Sequence, residues 1–162
     1  MAKRARHYWL MKSEENVYSI DMLKKDGTTY WDGVRNYQAR NFMRDAMKMG
    51  DFVLFYHSNS DPMGVAGLAQ LSRESHPDPT QFDKKSKYFD PKSTREEPRW
   101  QLIDIAFVEK FNRVVTLAEL KQEAALEDML VVQRGQRLSI QPVDKRHFKR
   151  VLVMAGAKTK VR

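Results

Sequence analysis

Phe52-Val53-Leu54-Phe55-Tyr56-His57 limits the fold more than any other stretch. Its aromatic and branched side chains, followed by the turn-forming run Ser58 to Pro62, read as a buried strand. Gly64 to Leu71 follows at hairpin distance as the antiparallel partner. Gly67 within it marks a bulge or the close approach of another backbone. Arg99 to Phe111 is the longest strand candidate, apolar on both faces around Asp104, and is predicted to be central.

The remaining segments surround this sheet. Tyr8 to Met11 reads as a short strand with Tyr8 and Leu10 on one face and Trp9 and Met11 on the other. Ser19 caps a helix over Ile20 to Lys25, and Thr28 to Trp31 has strand composition. Asn36 caps a second helix that sets Ala39, Phe42, Met43, Ala46 and Met47 on one face. Thr116-Leu117-Ala118-Glu119 is a capping box. Met129 to Val132 and Leu138 to Ile140 read as two short strands joined by a turn at Gln133 to Arg137. Pro142 is predicted to start the last helix, with Phe148, Val151, Leu152 and Ala155 inward and Gly156 as its C-cap. Ser75 to Pro98 is irregular, a functional or flexible loop whose aromatics pack back on the body. The sum is one α+β domain of 162 residues: five or six strands in a curled sheet or small barrel, flanked by helices.

Two clusters near the start carry the chemistry: Tyr8-Trp9-Leu10-Met11-Lys12-Ser13 and Trp31-Asp32-Gly33-Val34-Arg35-Asn36-Tyr37. Large aromatics beside hydroxyl, ammonium, guanidinium and amide groups suit a pocket for a planar, hydrogen-bonding ligand such as a nucleobase. Trp31 is either a stacking wall or core, and Trp9 either faces it or belongs to the core. Ser13, Lys12, Arg35 and Asn36 are candidate hydrogen-bonding groups, although Arg35 and Asn36 also suit a helix N-terminus. His57 and Ser58 end a strand at the pocket mouth or in an exposed turn, and Tyr56 faces the site in one register only. Trp100 is assigned to the core.

The composition restricts the partners. The net charge is +8, which favours nucleic acid. Lys3, Arg4 and Arg6 in an N-terminal tail (residues 1–7), and Lys158, Lys160 and Arg162 in a C-terminal tail (157–162), carry +3 each and leave +2 for the body. Tails of this kind hold phosphates loosely. Cysteine is absent, so disulfides, thiolate metal sites and cysteine nucleophiles are excluded. No apolar run approaches the roughly 20 residues of a membrane span, and the start lacks a secretory pattern, so a cytoplasmic chain is expected. His7, His57, His76 and His147 show no metal-ligand spacing, Asp78 and Asp90 suit turns before proline, and Gly64 to Gly67 is not a phosphate loop. Neither an enzyme nor a cofactor or metal is expected.

The blocks YWLMKSE, YWDGVRNYQARN, GDFVLFYHS, GVAGLAQ, HPDPTQFD, YFDPKS, RWQLIDI and RLSIQPV, in this order, resemble an EVE domain over residues 8–156. This is a PUA-like fold related to the YTH readers of methylated adenine. Glu15 departs from the proline usual in the first block. The resemblance implies a pseudo-barrel whose pocket takes a modified base flipped from DNA or RNA. In YTH readers a lysine–serine pair resembles Lys12-Ser13, the first cage tryptophan resembles Trp31, and a basic phosphate-holding turn resembles Gln133 to Arg137, making Arg134 and Arg137 phosphate candidates. The expected function is capture of a methylated or hydroxymethylated cytosine, or a methylated adenine, without catalysis. Any downstream action would fall to an effector protein. An accessory or catalytic processing factor and a free-nucleoside sensor are the alternatives using the same pocket.

Overall fold

The computed structural model describes residues 5–135 and 137–161. Lys3, Arg4 and Arg162 of the basic tails, and Gln136 of the expected phosphate turn, lie outside the described residues.

Six strands form one mixed sheet. In chain order they are β1 (Tyr8–Glu14), β2 (Thr28–Tyr30), β3 (Phe52–Ser58), β4 (Gly64–Pro77), β5 (Gln101–Thr116) and β6 (Ile140–Val143), arranged β2-β5-β4-β3-β1-β6. Only β1 and β3 run parallel, Tyr8 opposite Phe52 and Glu14 opposite Ser58. The end strands β2 and β6 do not pair with each other, so of the two sequence alternatives the open sheet is the one formed.

The alternation of side chains along β1 divides the core. Tyr8 and Leu10 join Leu54, Leu68, Phe111, Phe148 and Val151 on one face of the sheet. Trp9 and Met11 join Ile20, Leu23, Met43, Phe55 and Ile103 on the other. Helices α1 (Ile20–Asp26) and α2 (Tyr37–Asn41, continued by a π-helical turn, Phe42–Ala46) cover the second face. Helices α3 (Leu117–Gln122) and α4 (Lys145–Ala155) cover the first.

The expected caps are formed. Ser19 Oγ accepts the Met22 N–H, Asn36 Oδ1 accepts the Ala39 N–H, and Thr116 and Glu119 complete a capping box. Gly67 is both predicted things at once. It borders register shifts against β3 and β5, and a Cβ there would lie 2.5 Å from the Glu109 carbonyl oxygen and 2.6 Å from Ile20 Cγ1.

Several expectations are corrected. Leu130–Val132 is a 3-10 turn rather than a strand, because its backbone bonds close locally, Val132 N–H to Met129 O and Gln133 N–H to Leu130 O. Pro142 lies in β6 rather than opening α4, which starts at Lys145; a strand at the sheet edge tolerates proline because its outer side needs no N–H. The long strand β5 lies one place in from the edge, beside the three-residue β2. The irregular region begins late, since β4 runs to Pro77 and a 3-10 turn occupies Pro79–Phe82.

Candidate nucleic-acid interface

β1 emerges from the core at Lys12 and Ser13, and the chain after β2 passes beside it as Trp31 to Asn36. Between them lies a cavity of about 470 Å³ lined by these residues together with Tyr18, Tyr30, Tyr88 and Ser139. Its volume falls within the range of roughly 300–1,000 Å³ usual for small-ligand sites. Trp31 is half-buried: its backbone N–H donates to the Ile103 carbonyl at 2.8 Å, and its ring meets Phe55 edge to face at 5.8 Å. One part of the indole is therefore fixed by the core while the rest forms cavity wall.

A second cavity of about 710 Å³ shares Lys12 and Ser139 with the first. Tyr56, Met63, Leu117 and Val131 give it apolar walls, and Lys121, Arg134 and Arg137 make it cationic. Lys12 Nζ lies 5.8 Å from the Tyr56 ring centroid, and burial pushes its pKa below the ordinary value. The larger cavity thus supplies charge, and the smaller one supplies the tryptophan face on which a planar group can stack.

Of the residues singled out in the sequence, Lys12, Ser13, Trp31, Arg35 and Asn36 come together at the first cavity. Lys12, Tyr56, Ser58, Arg134 and Arg137 come together at the second. Two go elsewhere. Trp9 lines neither cavity: it is 3% exposed, packs on Phe42 and donates its indole N–H to the buried Asp51 at 3.0 Å. His57 also lines neither and is 3% exposed, its Nε2 accepting the Ile20 N–H at 3.1 Å. Trp100 is core as expected, donating its indole N–H to Asp90 at 2.7 Å.

Arg35 has a different task from the one its sequence position implied. Nε donates to the Tyr88 carbonyl at 3.1 Å; Nη1 donates to the Val34 carbonyl at 2.9 Å and to Asp78 Oδ2 at 3.1 Å. Nη2 donates to Thr80 Oγ1 at 3.1 Å and to the Tyr88 carbonyl at 2.7 Å. A guanidinium has five N–H groups, and all are engaged, leaving none for a base edge. Arg35 instead seats Tyr88 in the cavity wall. Asp78 caps its turn by accepting the Thr80 N–H, and also accepts the Gly33 N–H at 2.8 Å. Gly33 takes φ +78°, and a Cβ there would lie 2.6 Å from the Tyr88 ring.

The other cavity groups are partly committed. Ser13 donates its hydroxyl to the Tyr18 carbonyl at 2.8 Å, keeping lone pairs as acceptors. Asn36 uses Oδ1 in its cap, which leaves its NH₂ as a donor. Asp32 is half-buried, and burial first, then the charge of Asp78, pushes its carboxyl above the usual range against the opposing pull of Arg35 and Lys87.

Sequence reasoning missed Asp32, Tyr88, Ser139 and Lys121 as lining residues. Asp32 was legible from its place beside Trp31. Tyr88 offered only an aromatic in an irregular stretch. Ser139 and Lys121 carried no local signal.

An open mixed sheet with an aromatic-walled cavity beside a cationic one defines a PUA-like α+β domain whose site lies in the size range of small-ligand pockets. The chain belongs to the EVE domain family, which it matches over residues 7–154. It is 43% identical to human thymocyte nuclear protein 1 over 169 residues, covering 93% of this chain and 74% of that protein. A crystal structure of human THYN1 protein in complex with 5-methylcytosine-containing DNA aligns at TM-score 0.83 and 42% identity, over 96% of this chain and 99% of that one. A hypothetical protein from Leishmania major aligns at TM-score 0.87 and 50% identity, over 94% and 96% of the two chains.

Proposed function

We propose that this chain is a non-catalytic reader of 5-methylcytosine in DNA, holding the base, flipped from its strand, against Trp31. The half-buried indole wall of the 470 Å³ cavity carries this reading. Its support is the likeness over 96% of the chain to a human protein crystallised with 5-methylcytosine-containing DNA.

The magnitudes explain what the site must supply. Stacking a base on an aromatic contributes about 1–3 kcal/mol, and flipping one out of a duplex costs a few kcal/mol. Trp31 alone therefore roughly offsets the flip, so unpaired or distorted DNA binds more tightly than intact duplex. Burying the methyl group adds about 0.8 kcal/mol, roughly fourfold in affinity. Further discrimination comes from hydrogen bonds by Ser13, Asn36 and backbone groups around Trp31. Lys12, Arg134 and Arg137, beside the shared wall, hold flanking phosphates.

Titration of short single- and double-stranded DNA and RNA, each carrying one cytosine, 5-methylcytosine, 5-hydroxymethylcytosine, adenine or N6-methyladenine, tests the proposal. Selective binding of 5-methylcytosine DNA supports it. Equal binding of all, strongly weakened by salt, reduces the interaction to phosphate contact and removes the reader function.

A further inference from the structure

Two bases of DNA carry a methyl group at carbon 5: 5-methylcytosine and thymine. A cavity that selects only for stacking and methyl fit accepts both. They differ at position 4, where cytosine presents an amino donor and thymine a carbonyl acceptor. A reader of 5-methylcytosine therefore needs an acceptor aimed at the amino group.

Among the polar side chains of the Trp31 cavity, Arg35 and Asn36 do not meet that need. Arg35 offers only donors, all engaged. Asn36 has its carbonyl oxygen tied to the Ala39 N–H and offers NH₂. Ser13 and Tyr18, whose hydroxyl protons go to the Tyr18 carbonyl and to Asp26 Oδ2, keep acceptor lone pairs, but a neutral hydroxyl oxygen is a weaker acceptor for an amino group than a carboxylate. Asp32 carries the only carboxylate among the lining residues and is the sequence neighbour of Trp31. Among the described residues no side chain hydrogen-bonds its carboxylate.

We infer that Asp32 is the residue that distinguishes 5-methylcytosine from thymine, accepting the cytosine amino group and repelling the carbonyl at position 4 of thymine. The inference rests on the proposed reader function. A half-buried carboxylate beside the buried Asp78, destabilised as an anion, gains more from a ligand donor than an exposed one does. Asn36, with its free NH₂, complements the same base by donating to a cytosine ring acceptor. The carboxylate also fits the general preference of Asp and Glu for the cytosine amino group in base readout.

The test compares wild type with Asp32→Asn and Asp32→Ala, using one DNA sequence that carries 5-methylcytosine, cytosine, thymine or uracil at a single unpaired position. Thermal melting checks that each variant folds. Wild type is expected to favour 5-methylcytosine over thymine by roughly ten- to hundredfold, the range of one well-made base contact. Asp32→Asn turns either its carbonyl oxygen or its NH₂ toward the base, so thymine binding rises and the ratio falls toward one. Asp32→Ala loses the amino contact with 5-methylcytosine and the repulsion of thymine together, so the ratio falls mainly through weaker 5-methylcytosine binding. An Asp32→Asn protein that keeps the wild-type ratio, or weakens both ligands equally, overturns the inference while leaving the reader function intact. A wild type that prefers neither 5-methylcytosine over cytosine nor thymine over uracil overturns the reader function and the inference with it.

Discussion

Arg35 and Tyr88 are 53 residues apart in the chain, yet the Tyr88 carbonyl accepts two hydrogen bonds from the Arg35 guanidinium, at 2.7 and 3.1 Å. The same guanidinium lies 5.5 Å from the Tyr88 ring centroid and bonds the fully buried Asp78. One side chain thereby ties the irregular segment after β4 to the loop carrying Trp31. Lysine has a point charge with three donors and cannot reproduce the planar fork. Arg35→Lys is expected to lower stability by about 1–3 kcal/mol, the cost of leaving buried acceptors unmatched, and to weaken binding of 5-methylcytosine DNA. Chemical denaturation and titration of the same variant measure both effects.

Gly33 tests the cavity wall from the other side. Its φ is +78°, and the methyl group of an alanine there would lie 2.6 Å from the Tyr88 ring, too close to be accommodated without displacement. Gly33→Ala is expected to cost about 1–3 kcal/mol through backbone strain, and to displace Tyr88. Proteolysis of the 83–98 segment, faster in the variant than in wild type, reports that displacement.

How much of this was legible in the sequence differs from residue to residue. The hairpin of β3 and β4, the caps at Ser19, Asn36 and Thr116, and the stripe of α4 follow from local patterns, and each is present. Leu130 to Val132 and Pro142 misled because a short apolar run or a single proline fits several structures, and neighbours decide between them. Trp9 and Trp31 look alike in sequence; the buried Asp51, 42 residues from Trp9, takes one indole N–H into the core. The role of Arg35 was hidden for the same reason, since its partners Asp78, Thr80 and Tyr88 lie 43 to 53 residues away.

His57 makes stability depend on pH. Its Nε2 accepts the Ile20 N–H at the start of α1, which only the neutral ring with that nitrogen unprotonated can do. Burial holds its pKa below the ordinary 6.5, outweighing Glu15 and Asp21, which pull the other way, and Lys110 adds to the lowering. The unfolded chain takes up a proton as pH falls through 6.5, while the folded chain stays neutral. The stability that His57 contributes is therefore present above that value and is lost as pH falls toward the folded pKa. Denaturation midpoints of His57→Gln, which does not titrate, are expected to decline less than those of wild type between about pH 7 and pH 5.

Arg134 and Arg137 line the cationic cavity and are exposed, as phosphate ligands must be. Each phosphate contact contributes about 0.7 to 0.9 to the slope of log affinity against log salt. The Arg134→Ala/Arg137→Ala protein is expected to show a slope shallower by about 1–2, with methylated and unmethylated DNA weakened alike. A change in the ratio between them would place these arginines in base recognition instead.

The proposed function stands or falls on stacking at Trp31, and equilibrium titration of wild type and Trp31→Ala with 5-methylcytosine DNA and its unmethylated counterpart measures that stacking. Loss of an interaction worth about 1–3 kcal/mol is expected to weaken 5-methylcytosine binding roughly five- to 150-fold. The preference over cytosine should disappear, while the variant remains folded by near- and far-ultraviolet circular dichroism. A folded Trp31→Ala protein that binds 5-methylcytosine DNA with unchanged affinity and preference would contradict the proposal.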